Sequence, residues 1–340
     1  MFVICMFISL LLSVDFNAGV FVIMSYFSSF CVNLVIIYYL FSRGFFDEFA
    51  KIICAVASVA AILGIVEGIY HIIFPFYEAM FLAFDYNSMS YAMTRDDYRI
   101  LGTLGNPIVY SVAVIMVIPF VLKLHNVFIK SIIIVSILLA TFLTYSRSPW
   151  IVLFSMIFFS NYSKRKLFVL VSSLILISGF LFFNPIAQST KDVIIEKVVY
   201  RDAENITIRS DLFQWALSIF FEKLDMVSIT FGNGIKSSVK ATYDLSSGQM
   251  NTIDNVYATV LYEYGIMGLF FYSVVLINVL RYGWNNKDFY FASSVGFLLV
   301  GFSFTTIYYF TVNFVWVAIV ATQIFLDERL QTLDTQNLPG

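Results

Sequence analysis

The sequence has few charged residues. Only 12% of its 340 residues are Asp, Glu, Lys or Arg, whereas about a quarter of the residues in an average soluble protein are charged. Hydrophobic residues make up 60% of the chain, and the mean hydropathy is +0.86. Because so few charges cannot provide a polar surface, the composition excludes a water-soluble domain and indicates an integral membrane protein.

The sequence is also poor in cysteine and contains no internal repeat. Its three cysteines, Cys5, Cys31 and Cys54, all lie in apolar stretches. This arrangement argues against a disulfide framework and against a Cys/His metal site, and it favours small buried apolar side chains. The absence of a repeat removes support for the inverted-repeat plan of many transporters.

Long apolar runs dominate the sequence instead. Most of them approach the roughly 20 residues that a helix needs to cross a bilayer, at about 1.5 Å of rise per residue. We therefore predict an all-α polytopic membrane protein with about ten transmembrane helices. The first run is short and lacks a cationic leader, so a span or half-span is expected rather than a signal peptide. The runs cover residues 2–14, 20–41, 52–76, 101–122, 129–144, 149–159, 167–183, 256–280, 289–307 and 309–326.

Lysine and arginine are distributed unevenly between these runs. One set of alternate loops carries ten of them, and the short loops of the other set carry three. Since cytoplasmic loops are rich in positive charge, both termini are predicted to be cytoplasmic and residues 184–255 to lie outside. The ten are Arg43, Lys51, Lys123, Lys130, Lys164, Arg165, Lys166, Arg281, Lys287 and Arg329, and the three are Arg95, Arg99 and Arg147.

The large outer loop is predicted to be structured, because it is not rich in Gly, Ser or Pro. After Ser210, its apolar residues recur at helical spacing and predict an amphipathic helix in the outer headgroup layer. A weaker amphipathic stretch covers residues 189–200, and Phe231-Gly-Asn-Gly234 is predicted to be a turn. The predicted divisions are an N-terminal bundle at 1–183, the outer loop at 184–255, a C-terminal bundle at 256–326 and a cytoplasmic tail at 327–340.

Arg147 is the first candidate for a functional residue. It precedes Ser148, a predicted helix cap, and Pro149, which suits a first helical turn. The run that follows has only about a dozen residues, so its outer end is expected on the order of 10 Å below the headgroups. A cation at a recessed helix N-terminus favours an anion pocket. The alternative is an arginine that extends towards lipid phosphates.

Further basic and polar candidates lie near predicted outer ends of other segments. Arg99 comes directly before a helix start that contains two glycines and Asn106, which indicates irregular, closely packed backbone. Arg201 and Arg209 bracket a polar part of the outer loop, and Arg209 adjoins the predicted interfacial helix. The alternative for these arginines is a locally paired or solvated charge.

Acidic candidates lie at or within the runs. Asp254 and Asn255 open the run at 256, and Glu263 lies two turns deeper. Glu67 and His71 are four residues apart in one run, a spacing that places them on one helix face. Ionisable residues inside a membrane are candidates for function. The alternatives are a helix cap for Asp254 and a mutually satisfying pair for Glu67 and His71.

The order of motifs resembles the O-antigen polymerase and ligase superfamily, and most closely its Wzy-type polymerase branch. The similarity covers roughly residues 99–280, and the ordered set is more specific than any single member. Where the ligase branch carries His–Asn, this chain has Asp254-Asn255, which favours polymerase. The similar segments are Arg99–Pro107, Leu143–Arg147, Arg209 with Trp215–Leu217, Phe231–Gly234, Thr252–Tyr257 and Leu261–Gly268.

This resemblance implies a polymerase of oligosaccharide repeat units carried on undecaprenyl diphosphate, acting at the outer face of the bacterial plasma (inner) membrane. Our mechanistic hypothesis is an inverting, metal-independent glycosyl transfer for O-antigen or capsule, with the chain-length regulator and flippase of the same pathway as possible partners. Arginine side chains suit a diphosphate because the guanidinium group binds phosphate oxygens through two parallel hydrogen bonds. We expect Arg147 and Arg209 to hold the leaving diphosphate, and Asp254 to orient or deprotonate the acceptor hydroxyl. On the predicted outer face, Asp96-Asp97 is the only adjacent acidic pair. Because so few paired carboxylates are available there as metal ligands, we expect neither a metal nor a cofactor.

Two other functions are compatible with arginines at the outer face of the membrane. A ligase that transfers finished polysaccharide to another acceptor would share the diphosphate pocket. A flippase or transporter of lipid-linked oligosaccharide would need a polar pathway through both leaflets, whereas the candidate charges concentrate near the outer side. Transport without chain lengthening by the purified protein would indicate that second class.

Overall fold

The computed structural model of the chain describes residues 2–13, 15–70, 100–160, 225–245, 253–284, 287–304 and 309–336, with Gln214 and Ser218 as isolated helical positions. The described residues contain no β-strand, and this confirms the predicted all-α class. The helices are α1 (Phe2–Leu11), α2 (Phe16–Phe27), a π-helical segment (Ser28–Val32), α3 (Asn33–Ser42), α4 (Phe46–Tyr70), a 3₁₀ turn (Gly102–Leu104), α5 (Pro107–Ile115), α6 (Ile118–Val121), α7 (Val127–Leu143), α8 (Ser148–Phe159), α9 (Met226–Phe231), α10 (Ser237–Leu245), α11 (Val256–Trp284), α12 (Phe289–Val300) and α13 (Phe310–Gln336).

The helix bounds follow the predicted apolar runs. Within the described residues, four segments are long and apolar enough to cross a membrane, namely Phe16–Ser42, Phe46–Tyr70, Val256–Trp284 and Phe310–Arg329. Four apolar helices are shorter, at Pro107–Val121, Val127–Leu143, Ser148–Phe159 and Phe289–Val300. The chain is a helical membrane protein. The total of about ten spans and the orientation of both termini stay predictions.

One predicted element differs from the structure, and three others lie largely outside the described residues. The run at 289–307 was expected to be one span, but helix α12 ends at Val300 and a turn follows at 301–304. The run at 167–183 and both amphipathic stretches of the outer loop lie outside the described residues, apart from Gln214 and Ser218.

The chain divides into two compact units. Unit 1 comprises Met1–Tyr39, Ala203–Asn286 and Phe297–Gly340, and unit 2 comprises Leu40–Asp202 and Lys287–Gly296. The sequence-based division into two bundles, an outer loop and a tail stays a prediction.

Unit 2 is built around α5 and α6. Every residue from 109 to 122 is buried, as expected for a helix that is apolar on all sides. Helices α4, α7 and α8 pack around this core. Asn126 caps α7, because its side-chain oxygen accepts the N–H groups of Phe128 at 3.0 Å and Ile129 at 3.2 Å.

Unit 1 is organised by α11, against which α1, α9, α10 and α13 pack. The helix bends at Gly265, where φ is 68° and ψ is −170°. The span predicted at 256–280 corresponds to α11, which consists of two helical parts on either side of this glycine. Irregular backbone inside a membrane is stable only where protein or a wet cavity surrounds it. Here the turn at 231–234 and helix α1 contact the backbone at the bend.

Candidate functional site

Glu67 lies in the membrane-crossing helix α4 of unit 2, and its side chain is fully buried. One carboxylate oxygen accepts the N–H of Leu101 at 2.8 Å, and the other accepts the N–H of Gly102 at 3.1 Å. These backbone groups begin the turn that leads into α5, and buried backbone donors need a partner. Glu67 therefore holds this turn in place. Its predicted partner, His71, lies outside the described residues.

Replacing Glu67 with glutamine should lower the stability of the protein. The amide NH₂ group would oppose a backbone N–H at a point where a carboxylate oxygen now accepts one. An unsatisfied buried donor costs about 1–3 kcal/mol, so thermal unfolding in detergent micelles should occur at a lower temperature. Glu48→Gln is the matched control, because Glu48 is exposed in the first turn of the same helix. Equal unfolding temperatures for the two variants would contradict this role.

Asn106 caps the next helix of unit 2. Its side-chain oxygen accepts the N–H groups of Ile108 at 2.9 Å and Val109 at 3.2 Å. Pro107 follows in the first turn, where its missing N–H has no cost. Asn106 was predicted to contact substrate, and the structure gives its oxygen a structural task. Arg99, which precedes this turn, lies outside the described residues.

Arg147 is exposed and stands at the N-cap position of α8, a helix of 12 residues. The prediction that Ser148 caps this helix is wrong, because Ser148 is the first helical residue and the helix has no side-chain capping hydrogen bond. A helix start without a capping side chain is the arrangement that binds anions. The short helix length expected from the sequence is confirmed.

The starts of α5 and α8 lie on the same side of unit 2. The chain passes from α6 through a short loop into α7, and through another short loop into α8, so that successive helices alternate in direction. Helix α5 also packs directly against α8. An added Cβ at Gly68 would lie 2.6 Å from Ile100 Cδ1 and 3.3 Å from Leu143 Cδ1. The turns before α5 and α8 are therefore close to the same level of α4.

Tyr145, in the turn before α8, has a left-handed backbone with φ of 50°. Burial raises the pKa of its phenol, so the hydroxyl stays protonated at neutral pH. Residues other than glycine rarely adopt this conformation. The strained residue lies two positions before Arg147 and thus helps to set the direction in which the chain enters α8.

In unit 1, Asp254 and Asn255 have different tasks. The side-chain oxygen of Asn255 accepts the N–H groups of Tyr257 and Ala258, each at 3.0 Å, and its amide donates to the Phe302 carbonyl at 3.3 Å. Asn255 is therefore the cap of α11. The alternative that Asp254 serves as the cap is excluded, and the carboxylate of Asp254 is not used for this purpose.

Asp254 is half-buried and held in a left-handed conformation with φ of 47°. The backbone after it is fixed by a hydrogen bond from the Val256 N–H to the Gly301 carbonyl at 2.7 Å. Burial, with a smaller contribution from the Asp254 carboxylate, raises the pKa of Tyr309 to about 12. A protonated phenol near a half-buried carboxylate is an arrangement that can orient a hydroxyl group.

Glu263 is fully buried just before the bend of α11. Its carboxylate accepts a hydrogen bond from the Ser238 hydroxyl at 2.5 Å, and its carbonyl accepts one from the Ser9 hydroxyl at 2.6 Å. The adjacent Tyr262 carbonyl accepts the N–H of Asn233 at 2.9 Å. The bend frees these carbonyls from their helical partners, and the predicted turn at 231–234 satisfies them. Glu263 thus belongs to a joint between α11, that turn and α1.

Replacing Gly265 with alanine should destabilise this joint. An added Cβ would lie 2.4 Å from the Thr230 carbonyl oxygen, and the positive φ of 68° is costly for alanine. Gly44→Ala is the control, because Gly44 has a φ of 89° but nothing within 4 Å of an added Cβ. We expect a larger drop in unfolding temperature for Gly265→Ala. The same drop in both variants would show that backbone strain, rather than overlap with the turn, is responsible.

Ser9 and Ser238 form hydrogen bonds with Glu263, and Tyr309 interacts electrostatically with Asp254, yet sequence reasoning did not find these three residues. No local pattern marks a serine as the partner of a glutamate 25 positions away. Of the predicted site residues, the structure describes Arg147, Asp254, Asn106, Asn255, Glu263 and Glu67, while Arg99, Arg201, Arg209 and His71 lie outside the described residues.

Residues 132–273 match the Wzy_C family, described as O-antigen ligase. No curated protein matches the chain. The family match confirms the predicted resemblance to the O-antigen polymerase and ligase superfamily, whose members are glycosyltransferase-like enzymes. It includes the segments Leu143–Arg147, Phe231–Gly234 and Thr252–Tyr257, whereas Arg99–Pro107 precedes it.

Proposed function

We propose that this chain is a polymerase that joins oligosaccharide repeat units carried on undecaprenyl diphosphate at the outer face of the plasma membrane. In the proposed reaction, a hydroxyl of the new unit attacks the anomeric carbon of the growing chain. A C–O glycosidic bond forms, the bond from the anomeric carbon to phosphate breaks, and the configuration is inverted. The hydroxyl proton passes to a base, and undecaprenyl diphosphate leaves.

The observation that carries the proposal is the division of tasks between Asp254 and Asn255. A carboxylate at a helix start is normally explained as a cap, but here Asn255 caps α11. Asp254 is held in a left-handed conformation, which is uncommon for residues other than glycine and is found more often at functional sites. We assign Asp254 the task of orienting and deprotonating the acceptor hydroxyl. The Glu67 and Glu263 carboxylates are weaker candidates, because both are fully buried whereas Asp254 is half-buried.

The departing diphosphate requires positive groups. Arg147 combines a guanidinium group with a helix start that lacks a capping side chain, and arginine binds phosphate oxygens with two parallel hydrogen bonds. We assign Arg147 the stabilisation of the leaving group. Arg209 is the second candidate for binding the diphosphate, and Arg99 and Arg201 are further candidates. All three are proposed because they lie in segments that are predicted to be on the outer face.

A ligase activity is the second candidate, because the matched family is described as O-antigen ligase. We favour polymerase because this chain has Asp254 where the ligase branch carries histidine. Deletion of the gene distinguishes the two. Loss of a polymerase leaves single repeat units on their final acceptor, whereas loss of a ligase leaves long chains on the carrier lipid.

Purified protein mixed with lipid-linked repeat units provides the direct test. We expect a ladder of lengthened products that is unchanged by a chelator. Transfer of finished chains to a separate acceptor without a ladder would favour ligase, and movement of the lipid-linked unit across a bilayer without lengthening would favour a flippase. Topology tagging that places residues 146–149 in the cytosol would overturn the proposal in all its forms.

A further inference from the structure

Phe302 carries an exposed aromatic ring on the turn at 301–304. Its side chain is 61% exposed. The ring packs against the ring of Tyr257, with centroids 4.4 Å apart and planes inclined by 40°. The Tyr257 hydroxyl donates to the Leu298 carbonyl at 2.7 Å, which fixes this supporting ring. The Phe302 ring is therefore supported on one side and open on the other.

The turn that carries Phe302 is joined to the start of α11 directly after Asp254. The Val256 N–H donates to the Gly301 carbonyl at 2.7 Å, and the Asn255 amide donates to the Phe302 carbonyl at 3.3 Å. An added Cβ at Gly301 would lie 2.7 Å from Val256 Cγ1, so this close approach requires glycine. Both segments belong to unit 1. The exposed ring and the Asp254 carboxylate thus lie on neighbouring stretches of backbone.

A second aromatic pair adjoins Asp254. Tyr309 interacts electrostatically with the Asp254 carboxylate, and its ring stacks on that of Phe304 with centroids 5.1 Å apart and planes inclined by 24°. A sugar has one face of weakly positive C–H groups and a rim of hydroxyl groups. The negative face of an aromatic ring attracts the C–H groups, and a carboxylate accepts hydrogen bonds from the hydroxyls. The combination of an open ring and a nearby carboxylate therefore fits a sugar.

The surroundings of Phe302 favour a sugar over lipid chains as the neighbour of its open side. A carboxylate is costly in hydrocarbon, and Asp254 is only half-buried. Non-helical backbone is not exposed to lipid chains, and residues 301–304 form a turn. This part of unit 1 therefore lies at the level of water and headgroups, where the oligosaccharide of a lipid-linked unit also lies.

We infer that the Phe302 ring is the platform on which the acceptor sugar stacks while its hydroxyl group faces Asp254. This inference rests on the proposed function and adds a sugar-binding residue to it. Phe302 takes no part in the proton transfer. It holds the sugar ring, and the hydrogen bonds between the turn and the start of α11 set the position of that ring relative to the carboxylate.

The test compares Phe302→Leu and Phe302→Trp in purified protein in detergent, with lipid-linked repeat units extracted from a strain that lacks this gene. Leucine keeps an apolar side chain but removes the aromatic face, whereas tryptophan keeps it. A stacking contact corresponds to roughly 2- to 10-fold in affinity. We expect the leucine variant to bind the repeat units that much more weakly and the tryptophan variant to retain most of the affinity. In the ladder assay, Phe302→Leu should raise KM and change kcat little, as expected when uniform binding is lost.

A second ligand and a second phenylalanine provide the controls. Undecaprenyl diphosphate without sugars should bind equally well to the wild type and to Phe302→Leu. Phe270 is 57% exposed and lies beyond the bend of α11 in the same unit, so Phe270→Leu should keep the wild-type affinity for both ligands. The backbone carbonyl that holds the Asn255 amide is present in every variant, and unfolding temperatures close to that of the wild type would confirm that the turn is intact.

The outcomes distinguish the sugar contact from a lipid contact and from the proposed function. Unchanged affinity of Phe302→Leu for the repeat units overturns the inference, and a ladder from the wild type would then leave the proposed function standing. An equal loss for undecaprenyl diphosphate shows that the ring contacts the carrier lipid, and an equal loss in Phe270→Leu shows a general effect of aromatic surface; each overturns the inference. If Phe302→Leu selectively weakens binding of the repeat units but the wild type forms no ladder, the proposed polymerase activity fails while the sugar contact stands.

Discussion

Replacing Asp254 with asparagine should reduce the rate of polymer formation by about 10²- to 10⁴-fold, the range that a general base contributes. Asparagine tolerates the left-handed backbone that Asp254 adopts. The Asn255 cap and the hydrogen bond from Val256 to Gly301 do not involve the Asp254 side chain. The variant should therefore fold normally while it loses the only group at this position that can accept the hydroxyl proton. Polymer length on gels and initial rates with purified protein are the measurements.

Asn255→Ser is the matched control for this substitution. Serine caps helices about as well as asparagine does and places no negative charge beside the Phe302 carbonyl, so α11 should begin as before and most of the activity should remain. Wild-type polymer in a strain that carries Asp254→Asn at normal protein level would discard the assignment of the base. An equal loss in both variants would indicate that the start of α11, rather than the Asp254 carboxylate, is the sensitive feature.

Replacing Arg147 with alanine should lower kcat by about 10²- to 10³-fold, the loss typical of removing one group that stabilises developing negative charge. Arg147→Lys should give an intermediate loss, because lysine keeps the charge but not the paired donors that match phosphate oxygens. Stability should change little, since Arg147 is exposed and substitutions at exposed positions usually alter the free energy of unfolding by less than about 0.5 kcal/mol. The rate of ladder formation and the KM for the lipid-linked donor are the quantities to measure.

Arg43→Ala provides the control for Arg147, because Arg43 is also exposed and also lies directly beside a helix end. It belongs to the loops predicted to be cytoplasmic, so no effect on polymer formation is expected. Full-length surface polysaccharide in a strain that lacks its own copy and carries Arg147→Ala at normal protein level would discard Arg147 as a catalytic residue.

Several features of the site were open to sequence reasoning because they depend on local chemistry. Pro107 and Pro149 mark helix starts, since proline suits the first turn, and both appear there in the structure. The turn at 231–234 was expected from its two glycines, and both have positive φ. The prediction for Ser148 failed because the residue is equally suited to a cap and to a first helical turn. Only the backbone conformation, which places Arg147 at the N-cap, distinguishes the two.

Other features depend on contacts between distant residues, and the sequence contains no signal for them. Glu67 and His71 share a helix face by their spacing, and His71 lies outside the described residues. The Glu67 carboxylate also accepts two backbone N–H groups more than 30 positions away, which no local pattern predicts. The bend at Gly265 follows a common pattern of glycine in membrane helices. What makes it stable is the turn at 231–234 and Ser9, which satisfy the carbonyls that the bend exposes.

The composition and the spacing of apolar residues were sufficient to determine a helical membrane protein, because burying backbone in lipid leaves few alternatives to helices. The ordered motifs were likewise sufficient to indicate the superfamily. Only the tertiary structure shows which polar residues cap helices or hold turns. Asp254 and Asn255 are equally plausible caps in the sequence, and only the hydrogen bonds of the folded chain assign the cap to Asn255. A hydrogen bond forms only when donor and acceptor lie within a narrow range of about 2.7–3.2 Å, and folding alone sets that distance for residues far apart in the sequence.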